Sequence, residues 1–258
     1  VDLDAEPAAP GDGHARWRGA SAMTDLPKRL AAGLPTSLVT LRTGVRAAAA
    51  GVDDGGVTVT LEATGDTPPE TLRARGLVLT APVPQSLDLL AAGDALGRID
   101  GDALAALRAI DYDPCFALML VLDRESLVPR PGGMQFESGP VSWVADNRLK
   151  GISPVPALTV HASGDWSRAR FDADPAEVTR ELESLAARWI GGAAVVERSL
   201  QRWKFALPRS VVPAPFVSPS AAPPVACCGD AFKGPRVEGA ACSGQATGRW
   251  MGRLLASG

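Results

Sequence analysis

Apolar positions along this chain follow two rhythms, and the rhythm changes several times. From Met23 to Ala32 they fall three to four apart (Met23, Leu26, Leu30), behind a candidate cap at Thr24 and with Pro27 inside the first turn. That spacing predicts a short helix closed by Gly33. Alternation then takes over. Leu38 to Leu41, the run Val57-Thr58-Val59-Thr60-Leu61 behind the turn Asp53-Asp54-Gly55-Gly56, and Leu77 to Thr80 ending at Ala81-Pro82 predict three strands in a small meander. Helical spacing returns over Pro84 to Ala92 and Asp102 to Ile110. The unbroken apolar run Phe116 to Leu122 suits a central strand, and Val141 to Val144 and Leu158 to Ala162 read as its neighbours, joined by a turn region around Lys150 to Pro156.

Asp174-Pro175-Ala176-Glu177 is a helix start with cap, first-position proline and acidic first turn, and the helix is expected to run to about Trp189. A strand is expected over Val195 to Trp203. Residues Pro208 to Pro224 carry prolines at 208, 213, 215, 219, 223 and 224, which predicts an irregular, extended crossing segment. The chain closes with a buried strand, Val225 to Cys228, and a helix of small residues from about Gly239 to Leu255. Many strands interleaved with few helices point to an α+β fold rather than a doubly wound sheet.

At 46% hydrophobic over 258 residues the chain can bury a sizeable core, which excludes disordered and fibrous classes. A formal net charge of −3 argues against nucleic acid and against a polybasic membrane contact as partners, since both need clustered positive charge. No apolar run is long enough to span a bilayer, and the start, Val1-Asp2-Leu3-Asp4-Ala5-Glu6-Pro7, lacks an export pattern. Cys115, Cys227, Cys228 and Cys242 make neither a disulfide framework nor metal-ligand spacing, so a cytoplasmic location, buried packing for the thiols and no metal are expected. Arginine far outnumbers lysine and alanine runs recur, an association with GC-rich bacterial coding.

The chemistry concentrates near the C-terminus. In Cys228-Gly229-Asp230, then Val237-Glu238-Gly239-Ala240 and Ser243-Gly244, a buried strand ends on a carboxylate, and a helix begins among residues too small to shield its amides. Such a start offers N–H donors and a positive dipole end to an anion or an electron-rich ring. Asp230 alone reads better as an acidic residue capping a turn. Together with the helix it suits a nucleotide, the carboxylate taking sugar-like hydroxyls. No Ser/His/Asp order or paired carboxylates stand out; His161 is mid-strand with no partner visible in sequence, and His14 lies in the loose N-terminus.

This C-terminal stretch resembles the FAD-binding motif of the flavin amine oxidase superfamily. Met23 to Ala31 resembles that family's "GGM..L...LA" helix, Leu38 to Val45 its strand leading to an adenine-contacting valine, and Leu77 to Pro82 its "vvlTaP" strand. The wording of Trp143 to Asn147, of Leu158 to Ala162 with Trp166-Ser167 downstream, and of Arg202 to Pro208 is most similar to the bacterial renalase-like branch.

The resemblance implies an FAD/NAD(P)-binding amine-oxidase-like fold, with Gly229 and Asp230 at the ribityl or pyrophosphate part of FAD. It further implies that the amides of Glu238, Gly239 and Ala240 face the flavin pyrimidine edge, that Val45 meets the adenine through its backbone, and that Thr80 turns near the adenosine side. Trp203 and Trp143 would line the substrate side of the ring as the catalytic-face residues. Residues 14–83 and 225–258 would be the remainder of the FAD-binding domain and 84–224 the substrate-binding domain.

The family's first βαβ unit, with its Gly-x-Gly-x-x-Gly, has no counterpart here; the nearest pair, Gly11-Asp12-Gly13, lacks the third glycine. The expected fold is therefore a truncated one. The implied function is an FAD-dependent oxidoreductase that moves a hydride from an amine or a dihydronicotinamide to flavin, with oxygen as acceptor. The alternatives are a non-catalytic remnant or binding domain without the cofactor, and a chain whose site is completed by a separate polypeptide carrying the glycine fingerprint.

Overall fold

The computed structural model describes residues 19–63, 65 and 68–256, which divide into two compact units. One comprises 19–41 and 113–206, the other 42–112 and 207–256. Residues 84–112 and 207–224, expected with the substrate portion, lie in the second unit. Gly11, Gly13 and His14 lie outside the described residues.

In chain order the elements are α1 (Asp25–Ala32), β1 (Ala47–Asp53), β2 (Gly56–Leu61), β3 (Glu70–Ala74), β4 (Leu77–Leu79), α2 (Val83–Ala92), a single 3₁₀ turn (Leu96–Arg98) and α3 (Gly101–Arg108). Then follow β5 (Tyr112–Leu122), β6 (Gly133–Gln135), β7 (Val141–Asp146), β8 (Ala157–Ala162), α4 (Gly164–Ala169) and α5 (Pro175–Ile190). The chain ends with β9 (Val195–Pro208), β10 (Val217–Ala221), β11 (Pro224–Cys227) and α6 (Val237–Ala256). The mixture is α+β, as the order of segments implies. Among the described residues no helix is long and apolar enough to cross a membrane.

The first unit is built on a five-stranded sheet of order β6-β7-β8-β5-β9. Phe116, Leu118, Leu120 and Leu122 of β5 share a face with Leu158, Val160 and Ala162 of β8, and α5 covers it with Val178, Leu182, Ala186 and Trp189. Burial of each large side chain here stabilises the fold by roughly 1.5–3 kcal/mol. Asp174 caps α5 by accepting from the amides of Ala176 (3.0 Å) and Glu177 (3.1 Å), as its place before Pro175 predicts.

The second unit holds two small sheets, β1-β2-β3 and β10-β11-β4. The expected meander forms from different strands. Leu38 to Leu41 is irregular, with Leu38 84% exposed and no partner strand, while the alanine run of β1 pairs with β2. Gly93, just after α2, rests on the backbone of Ala50, where any Cβ would collide, so the bare glycine is what lets that helix end approach. Leu77–Leu79 is not part of the meander; it pairs parallel to β11. The proline-rich segment is also less irregular than its composition predicts: Val217–Ala221 forms β10, an edge strand, where Pro219 has no ladder bond to forfeit.

Candidate functional site

β4 and β11 run side by side in the same direction, Leu79 opposite Cys227, and the Cys228 amide donates to the Leu79 carbonyl at 3.0 Å. Thr80 and Gly229 therefore leave the sheet at the same end. A Cβ placed on Gly229 would lie 3.6 Å from the Thr80 carbonyl oxygen, and the glycine φ of +141° is one that side chains rarely allow. In sheets with parallel strands, ligands bind at the carboxyl ends.

The helix after β11 begins at that end too. The Gly229 amide donates to Ser243 Oγ at 3.0 Å, and Ser243 Oγ donates to the Pro215 carbonyl at 2.5 Å, so this buried hydroxyl fastens the strand end to α6 and to the crossing segment. Between strand and helix the chain passes Lys233 (φ +65°) and Gly234 (φ +153°). Lys233 N is held by the Val212 carbonyl at 3.0 Å, and Val212 N by the Ala231 carbonyl at 2.9 Å. This loop lies against the start of α6: a Cβ on Gly239 would run into the Gly234 carbonyl. Gly239 is thus bare because the chain's own loop packs on it.

Asp230 is half-buried at the opening of this loop. Burial raises its carboxyl above the ordinary range, opposed by hydrogen bonds from its own amide and that of Ala231. Its charge is felt by Tyr112, whose phenol is raised first by burial and then by Asp230, while the Val83 amide, donating to the phenol oxygen at 3.2 Å, works the other way. At the head of α6, Ala240 N already donates to the Arg236 carbonyl at 3.0 Å. Val237, Glu238 and Gly239 are the first helical residues, whose amides have no carbonyl one turn back within the helix. The donors available to an acceptor are therefore those of the opening turn, ahead of Ala240.

The remaining predicted residues fall elsewhere. Val45 sits two positions before β1, 38% exposed, on the approach to the other small sheet. Trp143 and Trp203 belong to the first unit, on β7 and β9, with β8 and β5 between them; at about 4.8 Å per strand they do not meet. Trp203 is 57% exposed. What the strand register adds is His161 directly opposite Trp143, with Lys150 Nζ 5.8 Å from the indole centroid. The sequence offers no partner for His161, because pairing between β7 and β8 leaves no local signal. Burial pushes the Cys227 thiol up to about 12 and Cys115 to about 11, which keeps both protonated and suits packing. Cys242 departs from that expectation and is exposed on α6. Among the described residues no group of acids, histidines and cysteines could hold a metal.

The residues at the β4/β11 end fit a flavin nucleotide in kind. They comprise a half-buried carboxylate that takes hydroxyls and helix-start amides that take phosphate or a ring carbonyl.

Comparison with known proteins points the same way. The family model for flavin containing amine oxidoreductase matches residues 10–248. Among solved structures, a protein assigned as protoporphyrinogen oxidase from Exiguobacterium sp. 255-15 is similar over 92% of this chain and 52% of its own, with a TM-score of 0.61 and 17% identity. Cyclohexylamine oxidase from Brevibacterium oxydans IH-35A is similar over 91% of this chain and 53% of its own, with a TM-score of 0.61 and 15% identity. At these identities the likeness is one of fold, and the chain spans about half the length of either protein.

Proposed function

Because this chain belongs to the flavin-containing amine oxidoreductase family, we propose that it is part of an FAD-dependent oxidoreductase of the renalase-like kind. The observation that carries the reading is the gathering of Thr80, Gly229, Asp230 and the first turn of α6 at one end of a parallel strand pair. Bound there, FAD would supply acceptance of a hydride from an amine or a dihydronicotinamide, with oxygen taking the two electrons and two protons to leave as hydrogen peroxide.

The chain's own part is binding and electrostatics. Asp230 lies at the ribityl or pyrophosphate portion and accepts from the ribityl hydroxyls. The amides of Glu238 and Gly239 stabilise negative charge at the pyrimidine edge, an effect of about 3 kcal/mol for one lost donor. Ala240, whose amide is engaged by Arg236, contributes its small side chain rather than a donor. Thr80 flanks the adenosine side, and Val45 reaches the adenine. Trp143 and Trp203, on separate strands of the first unit, are the residues that the resemblance assigns to the substrate side.

A glycine fingerprint for the pyrophosphate is absent from these 258 residues, and the solved relatives are about twice as long. We assign it to a segment outside this sequence, in the same polypeptide or in a separate chain. The test is expression together with the in-frame upstream sequence or the neighbouring gene's product. Yellow protein that releases FAD on denaturation and makes peroxide with an amine or dihydronicotinamide is expected. Colourless protein under both conditions contradicts the reading and favours a non-catalytic binding domain.

A further inference from the structure

The sheet of the first unit ends on two unlike edges. β6 is only 3 residues long, which leaves little edge for further pairing, whereas β9 runs from Val195 to Pro208. One side of β9 is used. The Ala194 carbonyl accepts from Asp123 N at 3.0 Å and the Arg209 amide donates to the Asp111 carbonyl at 2.9 Å, so the two ends of β9 are tied to the two ends of β5. Along the other side no strand pairs with it among the described residues. Most of β9 is exposed, Val196 and Trp203 included, and no proline or glycine interrupts residues 195–207. Such an edge is a template for one more strand.

The two faces of β9 differ in charge. Arg198 grips Glu183 of α5 through Nε and Nη2, Leu200 packs against the cluster under α5, and Arg202 Nη1 donates to the Phe171 carbonyl at 2.9 Å. The even positions therefore lie on the α5 side, and Lys204 follows them by alternation. Arg202 and Lys204 have the Phe171 and Phe205 rings as neighbours and, like Arg180 on α5, no carboxylate partner among the described residues. Arg180 also lines a hollow of about 650 Å³ between α5 and the start of β9, with Ser184, Ala187, Ala193, Val195 and Arg198. Side chains on the α5 side of an added strand would project toward these cations. The other face of β9, with Glu197, Ser199, Gln201 and Trp203, carries none.

A strand that fits is acidic on one face and apolar on the other. A second copy does not meet that need: antiparallel pairing centred on Leu200 would set Arg198 against Arg202, cation opposite cation. The first residues of the chain do, since Val1-Asp2-Leu3-Asp4-Ala5-Glu6 alternates strictly, acids at even positions and apolar residues at odd ones. Residues 1–18 lie outside the described ones, and Gly19 belongs to the same unit as β9. Extended, residues 7–18 span about 40 Å, against a diameter of roughly 35 Å for a unit of this size. That reach suffices.

We propose that residues 1–6 add to the free edge of β9 as a further strand, with Asp2, Asp4 and Glu6 beside Arg180, Arg202 and Lys204, and Leu3 on the side of Trp203. This docking does not rest on the flavin reading.

Hydrogen exchange of the full chain, followed amide by amide, reads the edge directly. Alternate amides of residues 196–204 point away from β5, and they are expected to exchange about tenfold more slowly than in a variant carrying Asp2→Lys, Asp4→Lys and Glu6→Lys. Amides bonded to β5 should be unchanged. Arg202→Glu with Lys204→Glu should lose the protection when made alone and restore it when combined with the three lysines, a rescue that a purely structural role for either segment would not give. Circular dichroism verifies that each variant is folded. The proposal is overturned if the outward amides exchange equally fast in the unaltered chain and in the three-lysine variant, or if the combined reversal restores nothing. Protection that rises with protein concentration and survives reversal at positions 2, 4 and 6 also overturns it, in favour of a second copy on the edge.

Discussion

α5 and α6 each lie on a sheet, and they do so by different chemistry. α5 buries Val178, Leu182, Ala186, Trp189 and Ile190 against large apolar side chains of β5 and β8. α6 buries Ser243, Thr247 and Met251, and two of those three act through hydroxyls: Ser243 on Gly229 and Pro215, Thr247 on the Ser243 carbonyl at 2.8 Å. Along its inner face α5 packs these apolar groups into one cluster with the sheet. Around α6 there remain bare glycines facing open space, the amides of an opening turn and a carboxyl that burial has made harder to ionise. A region packed for stability satisfies its own groups, and one packed for a ligand leaves some of them available.

The contrast can be broken by substitution, and the largest effect belongs to the sealed region. Leu182→Ala empties a fully buried position and is expected to lower stability by about 3 kcal/mol, read from the shift in a urea midpoint. A loss under 1 kcal/mol would mean that the α5 interface is not packed as described. Next comes Ser243→Ala, which removes a hydroxyl serving two backbone groups; a loss of about 2 kcal/mol is expected by the same measurement. A neutral result would show that the strand end is not fastened through this residue.

Gly248→Ala should go the other way. An added methyl meets nothing within 4 Å and the helix gains propensity, so a stabilisation of about 0.5–1 kcal/mol is expected. Destabilisation would show that this face of α6 is covered in solution.

The smallest effect sharpens the comparison through pH. The Asp230 carboxyl is raised in the folded chain, so its favourable contribution is complete below the unfolded pKa and is lost as pH rises through the folded value. Asp230→Asn, which stays neutral, should therefore raise Tm by about 1–2 °C at pH 7 and by nothing near pH 3. An equal Tm at both pH values would remove burial as the cause of the shift.

What could be read from sequence follows the same division. α5 announces itself through cap, proline, acidic first turn and period, all local signals. β5 does so through an unbroken apolar run. β1 is hidden because its run of alanines carries little strand preference. Leu77–Leu79 reads as a strand but not as the parallel neighbour of a segment nearly 150 residues later, since pairing at that distance leaves no local trace.

At the site, Thr80, Gly229 and Asp230 could be named singly from motif resemblance, whereas their meeting depends on that long-range pairing. Gly239 is bare for a reason internal to the chain, its contact with Gly234, which smallness alone does not reveal. For this reason a bulky residue at 239 would report on the loop as much as on any ligand. The grouping of Trp143, His161 and Lys150 is likewise a matter of register between β7 and β8 and of the turn that follows β7.

The most direct test of the flavin reading is cofactor retention by Asp230→Ala in the completed protein, measured as flavin absorbance per polypeptide after gel filtration alongside a urea unfolding curve. The account predicts at least a tenfold weaker hold on FAD with an unfolding midpoint no lower than that of the unaltered protein. Full flavin occupancy in the variant would contradict it.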